Sequence, residues 1–457
     1  MAVIFYLIIS IYLGRRNPLF YLLFPLALQQ GPGAFIDQTV SLGNKKIFSV
    51  TDNIFNDVLF FVLLFIAIFF IKVKFPRLNN VGSSLIIIYS FYLLTLFIGD
   101  FFSDEDRTEV FLTARDFFYI GVNFILWLSV FHVVTRVQYE DFLRLMFYIT
   151  PVSAILYVLN SSNILPIFPK EIIYSEVDHE SSHFLRDFAT IPFFLTTIIV
   201  LCIQSLLMPI LKVSKYIIFI NLICLSGALL FTFTRSIIIT VAIQIAVIVI
   251  LKCCVDGWKG IFYALKFTLV FCACFGPIYL IANKMFPGPM TYFNSRFSSA
   301  SVEGKNDQNV DIRLRYLDKA IDITNHTNPL IGAGMNRKYY RGMNDVGAWK
   351  ADSTIPFFLY HTGWLGLMLL YSILLYFSIS SVIHFFRTRD WLVAYLASFF
   401  ISTTISSLIM GGPLYGSMWS FINFALYITI RAKFWKRPTL ILVRNEFPLK
   451  IMVQSGK

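Results

Sequence analysis

A chain of 457 residues, 57% hydrophobic and only 14% charged, cannot be arranged as a water-soluble globule under a polar skin. Its net charge of +12 is weak evidence for nucleic acid, and no nucleic-acid partner is expected. In a chain this apolar, basic residues mark membrane topology and attract anionic headgroups, so the first expected partner is the lipid bilayer.

A bilayer-spanning helix needs about 20 apolar residues. Residues 2–13 are apolar but short, and they stop at Arg15 and Arg16. They read as an additional span, an interfacial helix or part of the first span, and they lack the small-residue cleavage site of a removed signal peptide. Twelve longer runs follow, at residues 18–30, 56–74, 84–100, 111–134, 142–160, 188–208, 214–233, 236–252, 261–283, 354–383, 391–410 and 413–431. The expected fold is an all-α polytopic membrane protein of about 12 transmembrane helices. Nine lie within 1–285, a large periplasmic loop at 286–352 separates the ninth from the tenth, three occupy 353–432, and a basic cytoplasmic tail fills 433–457.

Lys and Arg in short loops stay on the cytoplasmic side during insertion. One set of loops carries Arg15 and Arg16, Lys72, Lys74 and Arg77, Lys212 and Lys215, Lys252 and Lys259, Arg387 and Arg389, and the tail. The alternate set carries Asp104, Glu105 and Asp106, then Glu171, Glu176, Asp178 and Glu180, then 286–352. The first set is predicted to face the cytoplasm and the second the outside. All six cysteines fall in spans or at the cytoplasmic edge, so no disulfide is expected to staple the external loops. The six histidines show no metal-ligand spacing, and there is no glycine-rich phosphate loop. No metal or cofactor is expected, and any chemistry must draw on energy stored in the substrate.

Against this rule an external arginine is informative. Arg235 lies in Phe231-Thr232-Phe233-Thr234-Arg235-Ser236, between two spans whose other ends are basic, and has no acidic neighbour in the hairpin. It reads either as a snorkelling side chain or as an anion site at the membrane surface. In the external loop, residues 295–310 read as a flexible polar stretch. Residues 311–324 read as a helix, from apolar spacing at Ile312, Tyr316, Ala320 and Ile323. Arg315 is bracketed there by Asp311 and Asp318, an ordinary surface pairing, whereas Arg313 has no acidic residue within helical reach. Asn328-Pro329-Leu330-Ile331-Gly332-Ala333-Gly334 reads as a turn with a close backbone approach, leading to Arg337, Lys338 and Arg341. These cations suit headgroups or a phosphorylated substrate. Asp352 can cap the next helix or act as a general base, and the two roles are compatible. His361 reads as a packed or cavity-facing residue. Arg115 with Asp116, and Arg186 with Asp187, stand at outer span ends as local pairs, although charges at membrane depth are functional candidates by default.

These pieces, in order, resemble the O-antigen polymerase and O-antigen ligase superfamily. They are Thr-x-Thr-Arg-Ser at 232–236, Arg313 seven residues before Ala320, the 328–334 turn, and Asp352-Ser353 followed by Gly363 and Gly366. The resemblance covers about 214–383; the first half matches only in hydropathy and span count. It implies a GT-C-like fold, a periplasmic active site at the bacterial inner membrane, no metal, and sugars carried on undecaprenyl diphosphate as donor and acceptor. A chain-length regulator and a flippase are candidate partners. Ligase members carry a histidine eleven residues before the first glycine of the last motif, where this chain has Asp352, a departure that favours the polymerase branch.

On that reading an inverting glycosyltransferase would use Arg235 and Arg313 against the diphosphate, helped by Arg337 or Arg341, with Asp352 as base. Arg115, Arg186, His183 and His361 are candidate substrate contacts, and the segment 161–187 is a candidate sugar-binding region. The alternatives are a ligase moving polysaccharide onto lipid A core and a flippase. A flippase would be expected to show repeated halves and charges at mid-membrane.

Overall fold

The structure is a computed structural model that describes residues 8–9, 11–22, 69, 81–103, 110, 124–162, 164, 175–179, 182–186, 191–207, 213–232, 235–302, 308–335, 354–409, 418–431, 440–441 and 452–453. Its helices are α1 (Val81–Ser103), α2 (Phe124–Val133), α3 (Arg136–Ser161), α4 (Ile191–Leu207), α5 (Lys215–Phe231) and α6 (Arg235–Asp256). They continue with α7 (Trp258–Met285), α8 (Pro287–Val302), α9 (Gln308–Thr327), α10 (Thr354–Thr388), α11 (Trp391–Ile409) and α12 (Met418–Arg431). A hairpin of β1 (Ser175–His179) and β2 (Ser182–Arg186) joins α3 to α4, and Leu440–Ile441 pairs with Met452–Val453 near the C-terminus.

Among the described residues five helices are long and apolar enough to cross a membrane, within α1, α3, α6, α10 and α11; α2, α4 and α5 contain shorter apolar helices. This is a helical, multi-pass membrane architecture. Apart from the 3-10 turn Pro18–Leu22 and Phe69, the first two expected spans lie outside the described residues. Two boundaries differ from expectation. Residues 295–302, read above as flexible, continue α8, which starts at Pro287, where a proline's missing N–H costs nothing. α3 begins at Arg136 rather than at 142, because Thr135 and Gln138 close a capping box: Thr135 N–H donates to Gln138 Oε1 (2.9 Å) and Gln138 N–H to Thr135 Oγ1 (3.3 Å).

Lipid tails are as apolar as leucine, so helices in a bilayer associate through close packing and polar contacts rather than through the hydrophobic effect. α11 is the most buried of the five spans and packs most extensively on α10 and α6. Its seam with α10 is lined with small hydroxyls, where Ser378 bonds Thr404 (3.0 Å) and Ser407 Oγ donates to Tyr371 Oη (3.2 Å). Asn221 of α5 donates to the Phe147 carbonyl of α3 (2.7 Å), and Gln204 of α4 to the Trp391 carbonyl of α11 (2.7 Å).

Two loops that charge alternation assigns to one face meet the start of α3 at one end of the bundle. Asn17 Nδ2 donates to the Gln138 carbonyl (3.1 Å), and the adjacent Arg136 forms a two-pronged ion pair with Asp390, one arm at 2.9 Å. The opposite end carries the contacts described next.

Candidate functional site

α10 is interrupted. Gly363 has φ 60° and ψ −169°, and a Cβ there would overlap the Leu330 carbonyl oxygen, so the position requires glycine. A break inside an apolar helix strands backbone groups that lipid cannot satisfy. Here the protein satisfies them. The Leu359 carbonyl accepts from Thr324 Oγ1 of α9 (3.1 Å), the Tyr360 carbonyl from Ala333 N–H (2.7 Å) and the Thr362 carbonyl from Tyr92 Oη of α1 (2.6 Å). Beyond the break, Trp364 N–H donates to the Pro329 carbonyl (3.0 Å) and Leu365 N–H to that of Leu330 (3.1 Å). The expected turn at 328–334 therefore exists and plugs the break, as its close backbone approach requires. Asn328 shapes it by accepting the Leu330 and Ile331 amides at 3.0 and 3.3 Å through its side chain, the self-bonding that makes asparagine a turn residue.

The far side of the turn reaches α1. Met335 N–H donates to Asp100 Oδ2 at 2.6 Å. His361 is fully buried in α10, with its ring edge-to-face against Phe357 and Tyr360. Its Nδ1 lies 2.6 Å from the Gly334 carbonyl, which can only accept, so Nδ1 carries the proton. Of the two readings, packed or cavity-facing, the buried ring takes the packed one. Asp100 and Tyr92 were not among the expected site residues. The available signal was that Asp100 is the one charged side chain in the 23 residues of α1.

α9 packs on α10 through Tyr316, Ala320 and Ile323, which enclose Tyr360. Arg313 lies three residues before Tyr316 and seven before Ala320, so it continues the buried stripe to its N-terminal end and is half-buried. Arg315 lies off that stripe, exposed and ion-paired with Asp311 as its spacing predicts. Among the described residues Arg313 has no ion pair.

Arg235 is the first residue of α6 and is also half-buried. The preceding helix ends at Phe231 and is capped by Thr232, whose Oγ1 bonds the Leu229 carbonyl (2.8 Å), and the Phe231 ring meets Phe286 at the α7–α8 junction (5.3 Å). Hairpin β1–β2, which carries His183 and Arg186, packs against α8 and α3. His183 pairs in register with Asp178, and Arg186 with Ser175. Arg115, Arg337, Arg341 and Asp352 lie outside the described residues. Direct bonds thus unite the turn, His361, Tyr92 and Asp100, while Arg235, Arg313 and the hairpin stand on separate elements. Among the described residues no group of three or more His, Cys, Asp or Glu side chains could hold a metal ion.

The stretch holding most of these features is also the one recognised by comparison. Residues 220–371 match the O-antigen ligase family. That stretch is thus similar to the O-antigen ligase family, a likeness consistent with the O-antigen polymerase and ligase superfamily. The matched stretch begins in α5 and ends in α10, so it contains Arg235, Arg313, the plugging turn and the Gly363 break, but not α1. No curated protein matches the chain.

Proposed function

We propose that this protein is a polysaccharide polymerase that joins undecaprenyl-diphosphate-linked oligosaccharide repeats on the periplasmic face of a bacterial inner membrane. The observation that carries this reading is that the O-antigen ligase match falls on the structural unit made by α9, the plugging turn and the broken α10, with half-buried Arg313 at one edge.

The reaction follows from the chemistry of such a donor. The hydroxyl oxygen of an acceptor sugar attacks the anomeric carbon of the donor glycan. The bond from that carbon to the diphosphate oxygen breaks, the proton passes to Asp352, and undecaprenyl diphosphate leaves with the electron pair. Attack opposite the leaving group inverts the anomeric centre. Negative charge grows on the diphosphate as the bond breaks, and a guanidinium fork matches two phosphate oxygens at once. Arg235 and Arg313 are assigned that charge, with Arg337 or Arg341 beside them. Arg115, Arg186 and His183 are assigned to sugar contacts, and His361 to holding the turn.

The description of the matched family supports a second reading, a ligase that transfers finished polysaccharide to lipid A core. Asp352 in place of the ligase histidine favours the polymerase. The deciding experiment supplies purified protein in lipid nanodiscs with lipid-linked repeats, chelator and no nucleotide. A ladder of longer lipid-linked products supports the polymerase. Transfer only to added lipid A core supports the ligase, and an absolute need for ATP supports a transporter.

A further inference from the structure

We infer that Asp100 is a positioning residue, whose carboxylate clamps α1 to the Gly334–Met335 corner and so fixes α9, with Arg313, against the broken α10. The inference rests on the proposed reaction at Arg313.

A lone carboxylate in an apolar span is costly unless it is compensated. α1 has a mean hydropathy of 2.0 over its membrane-length window, and Asp100 is its one charged side chain. Its compensation includes the Met335 amide at 2.6 Å. The corner is cut to admit it: Gly334 has φ +70°, and a Cβ there would overlap Asp100 Oδ2. The Met335 side chain is buried with Leu96 of α1 and Val110, beneath Tyr92, Leu93, Phe97 and Phe101. Tyr92, eight residues and about two turns before Asp100 on α1, holds the Thr362 carbonyl at the break (2.6 Å). α1 therefore grips both sides of the joint between turn and broken helix. α9 runs straight into this turn, since Thr327 precedes Asn328, so the grip sets where Arg313 stands.

The test pairs hydrogen–deuterium exchange with elongation of lipid-linked repeats by the full chain in nanodiscs. Asp100→Ala should speed exchange at the Met335 amide by about tenfold or more, because a bond to a charged acceptor is lost. Turnover should fall by about tenfold or more, with a smaller change in KM for the lipid-linked donor, as expected when geometry rather than uniform binding is lost. Asp100→Asn keeps a carbonyl acceptor and should recover most of both. Gly334→Ala should reproduce the alanine phenotype, and the double variant should be no worse than either single one, because both break one contact.

Unchanged exchange at Met335 in Asp100→Ala would overturn the clamp. So would an Asn variant with protected exchange but alanine-level turnover, since the charge itself would then be at work. Accelerated exchange alongside a wild type that elongates nothing would support the clamp and sink the polymerase reading instead.

Discussion

Replacing Arg313 and Arg315 in turn separates chemistry from surface pairing on a single helix. Arg315 is 65% exposed, and its partner Asp311 is 43% exposed. An exposed ion pair four residues apart on a helix contributes only about 0.3–0.5 kcal/mol, so Arg315→Ala should leave elongation largely intact. Arg313 continues the stripe of Tyr316, Ala320 and Thr324, the last two fully buried, at the N-terminal end of the face that α9 packs on the broken helix. A fixed donor aimed at charge that develops during reaction is worth about 2.7–4 kcal/mol, or 10² to 10³ in turnover. Arg313→Ala should therefore lose about that much elongation while still accumulating in the membrane. Arg313→Lys should recover little, because an ammonium lacks the planar two-pronged fork. The assay is length-resolved gel analysis of lipid-linked products, with membrane protein quantified in parallel. Equal losses at the two positions, or a loss at Arg315 alone, would refute the assignment of faces on α9 and leave Arg235 as the anchor of the site.

A reporter active only outside the cytoplasm should be active when fused after Asn306 and silent after Arg389; the reverse would invert the whole site. Arg136 and Asp390 pair with side chains only 9% and 13% exposed, and Arg136 also bonds Glu140 at 3.0 Å, so removing Asp390 weakens a buried charge cluster and should cost less than the ~3–5 kcal/mol of an isolated buried pair. Thermal unfolding in detergent should register that loss for Asp390→Ala, and an unchanged transition would show the pair to be dispensable. Gly363→Ala should lower the same transition, since a left-handed conformation costs a non-glycine residue about 1–3 kcal/mol before the overlap with Leu330 is counted. Gly227→Ala, whose new Cβ would meet only Ile278 Cγ2 at 3.9 Å, is the control and should be neutral.

What could be read from the residues alone was what is periodic or local. Apolar runs located α1, α5, α6, α7 and α10 to within a few residues, because length and hydropathy decide whether a helix can span a bilayer. The contrast between Arg313 and Arg315 was legible because an ion pair on a helix is a matter of spacing. The turn at 328–334 was legible because asparagine, proline and glycine each restrict the backbone for a known reason.

The features that escaped prediction depend on partners far away in the chain. α3 starts at Arg136, ahead of the expected run at 142, where the Thr135 cap opens it and Asp390, 254 residues later, neutralises the guanidinium. The run 354–383 contains nothing to distinguish Gly363 from a tolerated helix glycine until Leu330 is placed against it. Asp100 is a charge in an apolar helix that the sequence reading passed over, and the amide it receives belongs to Met335, 235 residues away. Such a bond leaves no periodic trace in either segment. It is nevertheless constrained in kind, because a carboxylate at membrane depth must find a donor and a broken helix must find substitutes for its lost hydrogen bonds. The turn supplies substitutes to the break and a donor to Asp100 from one run of eight residues, Asn328 to Met335. A single substitution at Gly332, Gly334 or Gly363 should therefore disturb α1, α9 and α10 together.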